Sequence, residues 1–487
     1  MLGDMTPFRL AGNIYFVGTY KASSHLIDTG DGLILIDTGY AETADVIVES
    51  VTALGFDIRD VRYILHSHGH YDHTDGTPKL LELTHAETFL GEDDVKYIKG
   101  WTPDHFYRDG QVISLGNTHI LCLATPGHTE GTFSFFFDVE IDGRTLRAGM
   151  FGGAGVNQLK KAFLHKNRCS WLNRGLYFRS VERLKKEHVD IFLGNHSWNN
   201  HTRENYALMQ ETGVNPFVDD SKWLPYLERC ERDATAVILR ESRDTFVNYA
   251  HRGASSYAPE NTLLSFYTGL YMGANGIETD VRQTKDGVLV LFHDTTLTRM
   301  TGAEGSVSDY TLAQLQAFTF EKNGLTDKIA VFEDFLRQFA FRDLTFAIEI
   351  KQSGIETQIA DLIRKYGIVD KAMVTSFVQE RLRIIKEYAP ELHVGLLCKA
   401  VTSETLDFLK QIGAEELCPR ATEVTPERVA QWHREGFNVR PYGILDEATM
   451  AQVYDAMADG MTVDFPDKLK AYMQARNTAE PETAAAK

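Results

Sequence analysis

Residues 66–73 read HSHGHYDH, four histidines and an aspartate in one short run. No core or turn needs that density of imidazole, whereas a metal ion does. His68 and His70 stand two apart at the end of a strand and are expected to project to one side. Asp72 and His73 follow and can face a second point a few ångströms away. His128 in TPGHT and His196 in LGNH then complete two sets of three ligands. One is His68, His70 and His128; the other is Asp72, His73 and His196. Neutral imidazoles with a carboxylate suit Zn2+. Two such ions about 3.5–4 Å apart would share a hydroxide, the nucleophile of a hydrolytic reaction. His66 falls one strand period earlier and is a candidate support for the ligands, while His25, His165 and His201 read as ordinary polar residues.

A second constellation begins far along the chain. His251 and Arg252 end the run TFVNYAHR. Glu278 and Asp280 share one face of GIETDV, His293 follows VLVLF, and Glu349 and Lys351 repeat the two-residue spacing on FAIEIK. Three carboxylates without a thiolate suit a hard cation, Mg2+ or Ca2+. Arg252 and Lys351 supply positive charge for a phosphate, and two histidines can take and give protons near neutral pH.

The elements that must carry these residues differ between the two halves. Up to about residue 210 the chain shows short, turn-bounded strands such as GLILIDTG, and three apolar runs deliver histidines at their ends. The stretch 213–245 reads as a charged amphipathic helix plus a short linker, with Trp223, Leu224 and Leu227 on one side. From 246 onward strands alternate with amphipathic helices. Eight or nine strand candidates fit a parallel (β/α)8 barrel, one of them being a hairpin or terminal strand. The expected organisation is a first domain over 1–235, a barrel over 246–473 and a flexible tail over 474–487.

The ordered set GLILIDTG, SHGHYDHTDG, TPGHTEGTFSF and IFLGNHSWNN resembles the metallo-β-lactamase fold, most closely its third lactamase subclass. That resemblance implies an αββα sandwich, with Asp37 supporting the metal ligands from behind. It also exposes a departure: where many relatives carry a metal-bridging aspartate, this chain has RAGMFGG, with Met150 at that position. The set HRG, PENT, ETD, LFHD, LTRMTG, EIK and TVDFPDKL resembles the glycerophosphodiester phosphodiesterase family and implies a TIM barrel. By that resemblance Glu278, Asp280 and Glu349 hold the metal, His251 and His293 form the acid/base pair, and Arg252 and Lys351 hold phosphate. The family often places an aromatic on the last barrel strand, where this chain has VRPYG with Arg440 and Tyr442, which bears on the leaving group.

The formal net charge of −18 opposes a broad phosphate-binding surface, so nucleic acid is not an expected partner. The five cysteines are scattered without a C-x-x-C pair, which fits a reducing compartment. MLGDMTPFRL lacks a basic region followed by an apolar run, and no stretch approaches the ~18 apolar residues of a membrane span. The expected location is cytoplasmic. The combined reading is a two-domain hydrolase. Its barrel cleaves glycerophosphodiesters to glycerol 3-phosphate and an alcohol using Mg2+ or Ca2+; its first domain is a hydrolase holding one or two Zn2+. The rival readings place the main activity in the first domain, as a lactamase, lactonase, thioesterase or phosphodiesterase, or make one half a docking module. The fusion suggests consecutive steps on one lipid-derived substrate, such as deacylation before phosphodiester cleavage.

Overall fold

The computed structural model describes residues 4–479. Two compact units divide the chain. The first runs to Val237, and the second comprises Ile238 onward together with Ser170–Leu172. The boundary falls within one long helix, Trp223–Asp244, so the short linker expected in 213–245 is replaced by continuous helix. Trp223 and Leu227 are buried whereas Leu224 is exposed. At about 100° per residue Leu224 turns off the face its neighbours share.

In the first unit a seven-stranded sheet opens with hairpins, Phe8–Ala11, Ile14–Phe16, His25–Asp28 and Leu33–Ile36. It continues in parallel through Val61–Leu65, Glu87–Leu90 and His105–Phe106. A second sheet contains Ile191–Leu193, Arg144–Met150, Phe133–Ile141, Thr118–Ala124 and Gln111–Leu115. The run LILI at 33–36 is buried at every position because both of its faces are covered. Ile34 and Ile36 join Phe135, Phe137 and Ile120 between the sheets. Leu33 and Leu35 meet Ile47, Val51 and Leu80 of the helices Ala44–Ala53 and Thr77–Leu83 on the outer face. Helix, sheet, sheet and helix thus form the sandwich expected from the sequence.

The second unit holds eight parallel strands: Val247–His251, Gly276–Gln283, Thr345–Ile350, Ala372–Ser376, His393–Cys398, Glu416–Pro419, Asn438–Val439 and Gly460–Val463. The ninth candidate, VLVLF, is the hairpin partner: Leu289–Leu291 runs antiparallel to Gly276–Gln283. The helices wrap the barrel through apolar stripes, as in Phe332–Phe339, where Phe332, Phe335, Leu336 and Phe339 are all buried. The two-residue strand Asn438–Val439 makes no ladder with Gly460–Val463. Asp459 closes that seam instead. Its N–H donates to Val439 O at 2.9 Å and its carboxylate accepts from Val439 N and His433 Nε2, each at 2.8 Å. Its carbonyl accepts from Val247 N, on the first strand, at 3.1 Å.

The closing helix, Pro466–Ala479, continues past 474, where the tail was expected to begin; residues 480–487 lie outside the described residues. All five cysteines are free. No helix among the described residues is long and apolar enough to cross a membrane.

Candidate metal centres

The strand Val61–Leu65 stops before the histidines, so His68 and His70 are placed by the loop that follows and not by strand alternation. Two carboxylates anchor that loop. Asp37 sits in the left-handed backbone region at φ 58°, just beyond Leu33–Ile36. It accepts the N–H and the hydroxyl of Ser67, both at 2.7 Å, and His73 Nδ1 at 2.8 Å. Asp94 is buried and accepts from Gly69 N, Thr129 Oγ1 and Gly131 N at 2.7–2.9 Å, which ties the His68–His70 loop to the loop carrying His128. A side chain at Gly69 or Gly131 would collide with Asp94, so both positions need glycine for the close approach.

Asp72 and His73 lie on a single helical turn, Tyr71–Thr74. His68, His70 and His128 each offer a ligand atom within 4.8 Å of the others, and so do His68, Asp72 and His73. His196 joins the second group, its Nε2 3.9 Å from Asp72 Oδ2 and its ring 5.0 Å from that of His73. All six expected ligands therefore converge, with His68 shared between the two triples.

The tautomers follow from the outer partners. His128 Nδ1 donates to Gly155 O at 2.8 Å, and His196 Nδ1 donates to Lys21 O at 2.6 Å. A carbonyl only accepts, so both rings turn an Nε2 lone pair inward. His73 Nε2 is buried without a hydrogen-bond partner. Burial, reinforced by the neighbouring rings, holds His68 and His128 well below the usual imidazole range; burial also lowers His70 and His196 to about 4. For His73 burial pulls downward, but Asp37 and Asp72 outweigh it and raise the ring. Inward-facing neutral imidazoles and one orphaned nitrogen form a donor set that could hold a metal ion.

His66 takes no part in this cluster. Its Nδ1 meets Phe89 O at 3.0 Å and its Nε2 meets Thr77 Oγ1 at 2.7 Å. It packs on Trp101 as a buried structural residue, so the expected supporting role falls to Asp37 and the unforeseen Asp94. His25 Nε2 donates to Gly194 O, His201 precedes the helix Thr202–Thr212, and His165 is exposed. Met150 is fully buried in the sandwich core and brings no charge to the cluster.

In the barrel the register of the sheet builds the second cluster. Parallel pairing sets His251 beside Glu278 and Asp280 beside Glu349. Glu278, Asp280 and Glu349 are all buried, with ligand atoms within 4.8 Å of one another. Arg252, at φ 56°, donates its N–H to Glu278 Oε2 at 3.0 Å, and its guanidinium reaches Asp280 at 3.2 Å and Glu260 at 3.0 Å. Lys351 Nζ lies 2.8 Å from Glu349 and 3.5 Å from Asp280. Asn261 donates to Asp280 Oδ2 at 2.9 Å. Burial and the charge of Asp280 push Glu349 up to about 7 and raise Glu278. Burial also penalises Asp280, but Arg252 and Lys351 hold it below the usual carboxylate range. Crowded, dry carboxylates, with Asp280 Oδ1 lacking a hydrogen bond, fit a divalent cation.

Both histidines reach the same mouth. His251 Nε2 is 3.9 Å from Glu278, and its Nδ1 is 2.6 Å from Asp464. His293 follows the antiparallel strand and is positioned by Phe292 N, which donates to Asp280 O at 2.9 Å. Its Nδ1 is 2.7 Å from Asp294, which also binds Arg299. Asp464, Asn261 and Asp294 lie in TVDFPDKL, PENT and LFHD, where residue type and spacing alone give no sign of a role. Arg440 does not face the mouth. It is buried in the barrel interior, donating to Glu416 at 2.8 Å and to Cys418 Sγ. Tyr442 instead packs edge-on against Phe377, whose ring lies 6.0 Å from Lys351 Nζ.

Residues 251–468 match the model of the glycerophosphoryl diester phosphodiesterase family, and residues 17–151 match that of the metallo-beta-lactamase superfamily. A glycerophosphodiester phosphodiesterase of Caldanaerobacter subterraneus is 32% identical over 229 residues, 45% of this chain and 94% of its own length. One from Bacillus altitudinis is 32% identical over 234 residues, 45% and 95% of the two chains. Among solved structures, the FEZ-1 metallo-beta-lactamase from Legionella gormanii is 29% identical, covering 49% of this chain and 98% of that one, with a TM-score of 0.46.

Proposed function

The chain belongs to the glycerophosphodiester phosphodiesterase family, and from that premise we propose that its barrel, residues 246–473, hydrolyses glycerophosphodiesters to glycerol 3-phosphate and an alcohol. The observation that carries the reading is the convergence of three buried carboxylates, two histidines and two cations on one mouth. Glu278, Asp280 and Glu349 would hold Mg2+ or Ca2+, which supplies Lewis acidity to the phosphate. Arg252 and Lys351 bind the phosphate oxygens, exchanging some of their carboxylate contacts for it. One histidine removes the proton from the attacking oxygen, either water or the neighbouring glycerol hydroxyl by way of a cyclic phosphate. The other protonates the alcohol as its P–O bond breaks. Asp464 and Asp294 orient the two rings. The test is glycerol 3-phosphate release from glycerophosphocholine by the full chain. Activity should vanish after EDTA treatment and return with Mg2+ or Ca2+; full activity in EDTA would overturn the metal assignment.

A second reading concerns the sandwich, residues 1–235, as a hydrolase in its own right and not a docking module. The orphaned His73 Nε2 amid neutral imidazoles favours it. His68, His70, His128, Asp72, His73 and His196 would hold one or two Zn2+, supplying Lewis acidity for hydrolysis. Metal counting after zinc-supplemented expression tests this, and absence of zinc would leave the docking role.

A further inference from the structure

Above the histidine cluster of the first unit lies a cavity of about 870 Å³, into which His70, Asp72, His128 and His196 project. Its wall carries a single lysine or arginine, Arg229. The guanidinium rests over the Tyr226 ring at 5.2 Å and donates to Asn199 O at 3.4 Å. No carboxylate among the described residues forms an ion pair with it, Asp233 one turn along included. The rim is aromatic and open: Tyr71 is 62% exposed and Trp198 45% exposed, the latter stacked flat on His196 at 4.4 Å. Large exposed aromatic surface beside a cavity marks contact with an apolar ligand. An uncompensated guanidinium in the same wall marks contact with an anion.

We propose that this cavity takes an amphiphilic ester, a monoacyl glycerophosphodiester. Its phosphate meets Arg229, its acyl limb lies on Tyr71 and Trp198, and its ester bond sits over the histidine cluster. Water adds its oxygen to the acyl carbon, the C–O bond to glycerol breaks, and the proton passes to the released glycerol oxygen. The products are a fatty acid and a glycerophosphodiester. The second product is what the barrel consumes under the function proposed above, on which this inference rests. The sandwich would thus perform the deacylation that supplies the barrel's substrate, within one covalent chain.

The experiment uses the full chain loaded with zinc and magnesium. A short-chain monoacyl glycerophosphocholine is supplied below its micellar concentration, with fatty acid, glycerophosphocholine and glycerol 3-phosphate all measured. Wild-type protein should release fatty acid and glycerol 3-phosphate. Glu278→Gln should release fatty acid and accumulate glycerophosphocholine, and Asp72→Ala should release no fatty acid. A binding arm avoids reliance on turnover. In the Glu278→Gln background, calorimetry with the non-hydrolysable ether analogue should show Arg229→Met weakening affinity by about tenfold, the scale of one charged hydrogen bond. Unchanged affinity would remove Arg229 from the site. If wild-type protein cleaves glycerophosphocholine but frees no fatty acid, the inference fails while the barrel's function stands. If neither substrate yields glycerol 3-phosphate, the barrel reading fails and takes the sequence of steps with it. Free choline with an intact acyl chain would show the barrel acting on the acylated substrate directly, which also overturns the proposal.

Discussion

His251 Nδ1 lies 2.6 Å from Asp464 Oδ1, whereas His293 Nδ1 shares its aspartate, Asp294, with the guanidinium of Arg299. The two rings therefore feel different charges. The Asp464 carboxylate also accepts from the Ser255 hydroxyl at 2.7 Å, and it stays ionised down to about 2 despite burial. Burial alone would lower His251, but Asp464 raises it above the ordinary value; His293 is lowered, chiefly by burial.

The raised ring, His251, should be the one that gives a proton, and the lowered ring, His293, the one that takes it. The acid limb of kcat/KM should report His293 below pH 6.5, and the alkaline limb His251 above it. Asp464→Asn removes the raising charge, so the alkaline limb should move to lower pH while the acid limb stays. A profile whose acid limb moves instead would reverse the two roles.

Losing either ring should be costly. His251→Ala or His293→Ala should reduce kcat by roughly 10²–10⁴, the usual scale for a general acid or base. KM should change less, because Arg252 and Lys351 still hold the phosphate. Steady-state kinetics on glycerophosphocholine decides the matter; a change confined to KM in both variants would sink the acid/base pair.

The histidine cluster should bind two zinc ions unequally. Met150 is buried in the core and contributes no bridging charge, so the site of Asp72, His73 and His196 should be the weaker. Stepwise chelation with metal counting should empty it first. Asp72→Ala should lose that ion, and His68→Ala the tighter one. Equal affinities would refute the argument.

Asp94→Ala should destabilise the sandwich by about 2–4 kcal/mol, since it strands the buried N–H groups of Gly69 and Gly131 without acceptors. Thermal unfolding of metal-free protein measures this. Because burial raises Asp94 to about 6, the folded state binds its proton more tightly than the unfolded chain does. Its contribution to stability should therefore improve as pH falls from about 6 towards 4, and Asp94→Asn should flatten that trend.

The parts of these sites that sequence makes legible are those with unusual residue types at fixed spacing. HSHGHYDH, ETD and EIK announce metal ligands because little else explains them. Asp94 and Asp464 escape notice because a lone aspartate looks the same on a surface as it does holding a loop or a ring. His66 misleads for the converse reason: its type and spacing match the ligands, but the strand ends at Leu65 and its ring turns into the packing against Trp101. Arg440 shows the same limit in the barrel. Its position on the chain suggests the mouth, while the short strand Asn438–Val439 sends it inward to Glu416. Barrel alternation is readable, but the hairpin strand is not separable from the parallel ones, since apolar runs carry no mark of direction.

The seam at Asp459 sets an order of events during synthesis. Each strand from Val247–His251 to Asn438–Val439 pairs with a neighbour before it or beside it, but the ring has no closure until Gly460–Val463 arrives against the first strand. Until then one edge of Val247–His251 stays open while the other pairs with Gly276–Gln283, and an open strand edge is the form most prone to pair with another copy. The sandwich is complete much earlier, at Val237. The two halves are thus completed at different points of synthesis, and a stop beyond the helix Trp223–Asp244 costs the barrel alone.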